Sequence, residues 1–297
     1  MRVAVMDDWQ GVALESADWT KLQARAEVII LSHPFPDQDA AAQALADYEI
    51  LIPMRERTPL PSSLLARLPK LRLIALTGTR SPSLDMAACT ERGVLVCNTG
   101  GNASSHGTAE LTLGLMLAGA RRIPAGDAAI RAGRFQEGVG VGPVLEGKTL
   151  GIIGLGRIGS RVARYGQALD MRVLAWSRSL TREAAEAAGA ELTGKDELLA
   201  GSDVISLHVP LSAASRGLIG AAEIGRMKPG AMLVNTSRAG LVDTAALLAA
   251  LNEGRIVAGL DVYDQEPIPA GDPIRTAPNA VLTPHVGYGS TDTFRQF

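Results

Sequence analysis

Cysteine and histidine are scarce, and that scarcity removes several classes of protein. Only two cysteines, Cys89 and Cys97, occur in 297 residues, both in apolar surroundings. That is too few for a disulfide framework and fits a reduced, cytoplasmic setting. The four histidines, His33, His106, His208 and His285, show no metal-ligand spacing, so no metal is expected. The net charge is only −2, which leaves no basic footprint for nucleic acid or an anionic membrane. Arg121-Arg122 is the strongest basic spot, and a solvated helix end accounts for it. No run of about 18 apolar residues is present, so no membrane span is expected. The opening Met1-Arg2-Val3-Ala4-Val5-Met6-Asp7-Asp8 turns acidic too early for a signal peptide. There is no short-period repeat and no low-complexity tract.

What remains is a globular composition, 46% hydrophobic and 20% charged. A single core tends to split at about 250–300 residues, so two domains are expected. Short β-like runs alternate with alanine- and leucine-rich helical stretches from end to end, which predicts an α/β fold with parallel sheets. The first third has such runs at 2–6, 28–31, 50–53, 71–76 and 94–97, with an exposed helix at 39–46 and a short helix among Pro59, Pro61 and Pro69. A long helix is expected over 104–122, then a glycine-rich loop from Gly133 to Gly147. Six further runs follow at 149–153, 172–176, 204–207, 232–235, 257–260 and 281–283, as a doubly wound sheet requires. The pattern breaks at Thr99-Gly100-Gly101-Asn102, and a second crossing is expected near 284–290. This gives one domain of 1–100 rejoined by 285–297, and another of 101–284.

Gly154-Leu155-Gly156-Arg157-Ile158-Gly159 follows the strand at 149–153 directly. Gly154 allows a tight turn, Gly156 a close approach of backbone to a pyrophosphate, and Gly159 close packing of helix on strand. Apolar Ile158, Val162, Tyr165 and Leu169 recur at helical spacing, so a helix N-terminus faces the phosphates. A glycine turn without ligand is the plain alternative. The second strand ends at Ser177-Arg178-Ser179, where an acidic residue would select NAD through its ribose hydroxyls. An arginine there suits the 2′-phosphate of NADP. NADP(H) is therefore favoured, and NAD(H) stays open if Arg178 only faces solvent.

Arg238, Glu266 and His285 each follow one of three successive strands, at the sheet edge where ligands bind in open parallel sheets. Oxidising a hydroxy acid needs a base for the hydroxyl proton, and the reverse reduction needs an acid. Histidine titrates near neutrality and serves both. A carboxylate holds its tautomer, and a guanidinium pairs with the acid's carboxylate. The plain alternatives are a surface ion pair of Arg238 with Glu266 and a loop histidine. Val209, Thr236, Ser237, Asp261 and Gly287 complete the candidate cofactor-binding set.

Together, Gly-Leu-Gly-Arg-Ile-Gly at 154–159, Val-Asn-Thr-Ser-Arg at 234–238, Gly-Leu-Asp-Val-Tyr at 259–263, Glu266-Pro267 and Thr-Pro-His-Val-Gly at 283–287 resemble the D-isomer-specific 2-hydroxyacid dehydrogenases. The resemblance runs from Arg55 to about Gly289. It implies a Rossmann cofactor domain, a flavodoxin-like substrate domain, a 2-keto or D-2-hydroxy acid as substrate and a homodimer. It makes Arg238 the substrate arginine, His285 the acid/base and Glu266 its partner. The loop Leu76-Thr77-Gly78-Thr79-Arg80-Ser81 would hold the substrate carboxylate through backbone N–H groups. Arg80 either adds a positive group for a longer acid or points to solvent. The helix 104–122 is either a dimer element or ordinary core.

Three departures from the family pattern stand out. Ser177 replaces the usual acidic residue. The segment Gly107-Thr108-Ala109-Glu110-Leu111 lacks the histidine often found after that glutamate. Residues 290–297 read as a capped helix start where the family continues into a longer helix, so the chain is expected to be clipped. Two rival functions are weighed. A formate or phosphite dehydrogenase is disfavoured by Glu266, because formate enzymes carry an amide there. An NAD(P)-sensing binding protein is disfavoured by the complete Arg–Glu–His set. An inactive fragment is a third possibility.

Overall fold

The five apolar runs of the first hundred residues form β1 (Arg2–Val5), β2 (Glu27–Ile30), β3 (Ile50–Ile52), β4 (Leu73–Leu76) and β5 (Leu95–Asn98). In the computed structural model, which describes residues 1–79, 81–100 and 103–297, they pair in parallel in the order β2-β1-β3-β4-β5. That is the flavodoxin-like order. Ala4, Met6, Leu51, Ile74 and Leu76 line one face and pack on Leu45, Leu64, Leu65 and Cys89 from three short helices. Asp37 caps the helix Gln38–Leu45 by accepting from the N–H of Ala40.

The second sheet contains β6 (Thr149–Ile153), β7 (Arg172–Trp176), β8 (Glu191–Leu192), β9 (Val204–Leu207), β10 (Met232–Asn235), β11 (Val257–Leu260) and β12 (Ala280–Leu282). Its order is β12-β11-β10-β9-β6-β7-β8, and every pairing is parallel. Counted from β6, this is the doubly wound order 3-2-1-4-5-6 with one strand added beyond it. Strands β9 and β10 are buried at every residue, which is why they read as mainly apolar runs, interrupted by Ser206 and closed by Asn235. The edge strand β8 was not anticipated, since two residues show no periodicity. Nor was the helix Ile123–Arg131. Pro124 reads as a stop but stands in the helix's first turn, where a missing N–H costs nothing.

The chain divides into two units, Met1–Ala103 with Ser290–Phe297, and Ser104–Gly289. Residues 285–289, expected with the first unit, fold with the second. The N–H groups of Val286 and Gly287 both donate to the carboxylate of Asp261, at 2.8 Å each. Of the expected boundary loop, Gly101 and Asn102 lie outside the described residues, as does Arg80. The helix Ala103–Ala120 lies on β10 and β11. Leu115 packs over Gly259, and Gly119 leaves room for the Met232 side chain. Its inner face is therefore core. The segment 290–297 does begin a helix, Thr291–Gln296, with the Ser290 hydroxyl accepting from the N–H of Thr293. Among the described residues no helix is long and apolar enough to cross a membrane.

Candidate active site

Neighbouring strands β10, β11 and β12 run parallel, so the segments that follow them leave at one edge of the sheet. Arg238 follows β10, Glu266 follows β11 and His285 follows β12. The structure brings the last two into contact, with His285 Nδ1 2.5 Å from Glu266 Oε2. Both side chains are about one-third exposed, at 33% and 30%. The other oxygen of Glu266 accepts from the N–H of Tyr263 at 2.8 Å, which fixes the carboxylate before it meets the imidazole.

His285 itself has a left-handed backbone, with φ of 53°, a conformation few non-glycine residues adopt without support. The support comes from Asp261. Its Oδ1 accepts from the Thr283 hydroxyl at 2.7 Å and from the N–H of Val286, while Oδ2 accepts from the N–H of Gly287. A side chain at Gly287 would press on that carboxylate, its Cβ 2.9 Å from Oδ2. Burial pushes the Asp261 carboxyl above its ordinary range, and these hydrogen bonds pull the other way. Tyr263 spans the same turn, its hydroxyl donating to the carbonyls of Thr283 and Leu260, and burial raises its phenol. His285 meets the Tyr288 ring edge-on, with centroids 5.9 Å apart.

Arg238 is held from below by Asn235, which is almost wholly buried. Asn235 donates to the Arg238 carbonyl at 2.9 Å and accepts from the N–H of Ser237 at 3.0 Å. The guanidinium donates to the Ser237 carbonyl at 2.8 Å. The Ser237 hydroxyl donates to the Val209 carbonyl at 2.7 Å, and the Thr236 hydroxyl lies 2.8 Å from that of Thr112 on the long helix. Asn235, Thr283, Tyr263 and Thr112 were not singled out from sequence. Only Asn235 left a signal, as a polar residue closing a buried strand.

The glycine loop sits where β6 meets β9, the point at which strand order reverses. Gly154 has φ of 101°, and its Cβ would stand 2.7 Å from Val209 and 2.8 Å from the His208 carbonyl. The Cβ of Gly159 would meet the Gly154 carbonyl oxygen at 2.1 Å. Gly156 is different: nothing lies within 4 Å of where its Cβ would be. It is the N-cap of the helix Arg157–Ala168 and offers no side-chain cap, so the positive end of the helix dipole stands beside open space. Ser177, Arg178 and Ser179 follow β7, with Arg178 and Ser179 exposed. His208 follows β9, with Nε2 2.9 Å from the Ser206 hydroxyl. Desolvation of its ring pushes it down to about 3.

In the first unit, Gly78 has φ of 110° at the end of β4. Its N–H is spent on the Thr99 hydroxyl at 2.8 Å. Thr79, the next residue of that loop, is exposed.

Comparison with known proteins gives a consistent picture. A family model described as D-isomer specific 2-hydroxyacid dehydrogenase, NAD binding domain, matches residues 113–287. A D-3-phosphoglycerate dehydrogenase of Archaeoglobus fulgidus is 41% identical over 241 residues, covering 80% of this chain and 45% of its own length. A glyoxylate reductase of Aeropyrum pernix is 42% identical over 238 residues, covering 77% of this chain and 71% of its own. The crystal structure of a phosphoglycerate oxidoreductase from Vibrio cholerae superposes with a TM-score of 0.94 at 35% identity, covering 100% of this chain and 95% of that one. The chain spans about half the length of the phosphoglycerate dehydrogenases it matches.

Proposed function

The chain belongs to the D-isomer-specific 2-hydroxyacid dehydrogenase family, and on that premise we propose that it is an NADP(H)-preferring oxidoreductase interconverting a small 2-keto acid and the D-2-hydroxy acid. The observation that carries this reading is the 2.5 Å contact of Glu266 with His285, one strand away from the end that bears Arg238. When bound, the nicotinamide cofactor supplies a hydride to the keto carbon. His285 gives its Nε2 proton to the carbonyl oxygen as that oxygen gains charge, and takes it back in the oxidising direction. Glu266 accepts from Nδ1, which holds the ring in one orientation and one tautomer. Arg238 pairs with the substrate carboxylate and polarises the carbonyl. In the first unit, we assign the Gly78–Thr79 loop to carboxylate binding, as the family resemblance implies.

The residues present fit a dinucleotide. The space beside Gly156 and the uncapped helix start suit a pyrophosphate held by Gly154, Gly156, Arg157, Ile158 and Gly159. Val209, Thr236, Ser237, Asp261 and Gly287 line the strand ends that would carry the nicotinamide half. No carboxylate stands at Ser177-Arg178-Ser179 to repel a 2′-phosphate, and Arg178 is exposed there, which supports NADP(H) over NAD(H). Free Cys89 and Cys97 support a reducing, cytoplasmic setting. The net charge of −2 gives no reason to expect a nucleic-acid or membrane partner. A homodimer is the assembly we favour, as cover for the exposed apolar Ile123, Ile130, Phe135, Val141 and Val144.

Initial rates with NADPH and NADH against a panel of 2-keto acids test the reading, with glyoxylate first because a relative bears its name. The expected result is turnover with a higher kcat/KM for NADPH, and loss of that advantage in Arg178→Ala. Failure to oxidise either cofactor with any acid of the panel would overturn it.

A further inference from the structure

Asp7, at the carboxyl end of β1, is completely buried and left-handed, with φ of 61°. Its Oδ1 accepts from the Thr58 hydroxyl at 2.8 Å, and its backbone carbonyl accepts from Arg57 Nη1 at 2.5 Å. Arg57 Nη2 donates to Gln10 at 2.9 Å, and the guanidinium lies 4.5 Å over the Trp9 ring. Residues 7–10 and 57–58, some fifty positions apart, are thereby tied together (51 for the Asp7–Thr58 bond). The second oxygen of Asp7 is buried with no hydrogen-bond partner among the described residues. A buried carboxyl oxygen without a partner costs stability, and burial holds the group above its ordinary range. An apolar residue in place of Asp7 would in turn strand the buried Thr58 hydroxyl, so the two side chains act as a pair that fixes the turn.

The turn that is placed runs from Pro53 to Thr58. The Thr77 hydroxyl donates to the Pro53 carbonyl and accepts from the N–H of Arg55, both at 2.8 Å, joining the end of β3 to the end of β4. Arg55 also has a left-handed backbone, with φ of 56°. Its Nη1 lies 2.3 Å from where a Cβ on Gly78 would be. Since the N–H of Gly78 is already engaged, the missing side chain is what this glycine contributes: it makes room for a guanidinium against the loop.

We propose that Asp7 is a positioning residue: through Thr58 and Arg57 it fixes the 53–58 turn, and with it the Arg55 guanidinium against the Gly78–Thr79 backbone. The inference rests on the functional reading above, in which that loop takes the carboxylate of the acid. Asp7 touches no reacting atom. Its effect is to keep a cation and a backbone donor together where an anion arrives.

The test uses Asp7→Ala, Asp7→Asn and Thr58→Val in the full chain. Asparagine keeps the Oδ1 acceptor, so it separates the hydrogen bond from the charge. Asp7→Ala and Thr58→Val are expected to raise KM for the keto acid about tenfold, with kcat and the cofactor Kd within about twofold of wild type. Asp7→Asn should restore KM to within about threefold. A merely structural role would lower kcat or the active fraction and leave KM unmoved, and that result would overturn the proposal. If Asp7→Ala does not fold, Thr58→Val decides. Oxalate supplies a readout free of turnover: it should raise the melting temperature of wild type and Asp7→Asn with cofactor bound, but not of the other two. Equal shifts in all four proteins, or none in wild type, would overturn the proposal even where turnover succeeds. Absence of turnover with every keto acid, with the oxalate pattern intact, would instead count against the functional reading alone.

Discussion

His208 shows how far a single side chain can be set by its surroundings. Its ring is desolvated beside Ser206, and its proton affinity falls from the ordinary 6.5 to about 3. In the unfolded chain the same ring binds a proton near 6.5, so the folded state is favoured above that pH. The advantage is lost as pH falls from 6.5 toward 3. The slope this one residue adds is at most about 1.4 kcal/mol per pH unit. Urea unfolding at pH 7, 6 and 5 should therefore show a smaller loss of stability in His208→Gln than in wild type. Identical pH dependence in the two proteins would contradict the account. Residue by residue, what the sequence could show was uneven. Glycines with a steric duty and the trio Arg238, Glu266 and His285 stand out because spacing alone puts them at strand ends. Thr283 and Asp7 act through partners 22 and 51 positions away, which no local pattern announces, whereas Asn235 acts on its own turn.

At the scale of an element, the glycine loop and its helix divide two duties between neighbouring glycines. Gly159 is needed by the fold, since a methyl there would meet the Gly154 carbonyl at 2.1 Å. Gly156 is not, because a methyl there meets nothing within 4 Å and its φ of −87° suits alanine. Gly159→Ala should lower stability by about 1–3 kcal/mol through overpacking. Gly156→Ala should melt with wild type when the cofactor is absent and yet bind NADPH at least about tenfold more weakly, since it fills the space assigned to the pyrophosphate. Calorimetry and fluorescence titration of both variants check this. A Gly156→Ala protein that binds NADPH normally would remove that assignment. The strands were readable because those buried on both faces are nearly all apolar. The helix Ile123–Arg131 was hidden by Pro124, and β8 by its length. The helix Ala103–Ala120 was plain as a helix, but its apolar residues circle it, so which side faced the sheet was settled only by Leu115, Gly119 and Thr112.

For the whole molecule, the largest exposed apolar side chains fall mainly within one stretch. Ile123, Ile130, Phe135, Val141 and Val144 all lie between 123 and 144, with Phe135 72% exposed and Val141 97% exposed. Soluble monomers rarely leave such a run uncovered, and a symmetric second copy is the simplest cover. Light scattering should give a dimer for wild type and a monomer for Phe135→Glu with Val141→Glu. A monomeric wild type would contradict the assembly proposed. The strand order of both sheets, by contrast, came from the family resemblance and not from the residue pattern. Alternating runs define a parallel α/β chain, but register and neighbour choice depend on which faces meet.

The central claim is that His285, oriented by Glu266, moves the proton. Its most direct test is steady-state reduction of the best keto acid by wild type and His285→Ala, with NADPH affinity measured separately. The expected result is a fall in kcat of about 10² or more with NADPH bound as tightly as before. Undiminished turnover in His285→Ala would contradict the account.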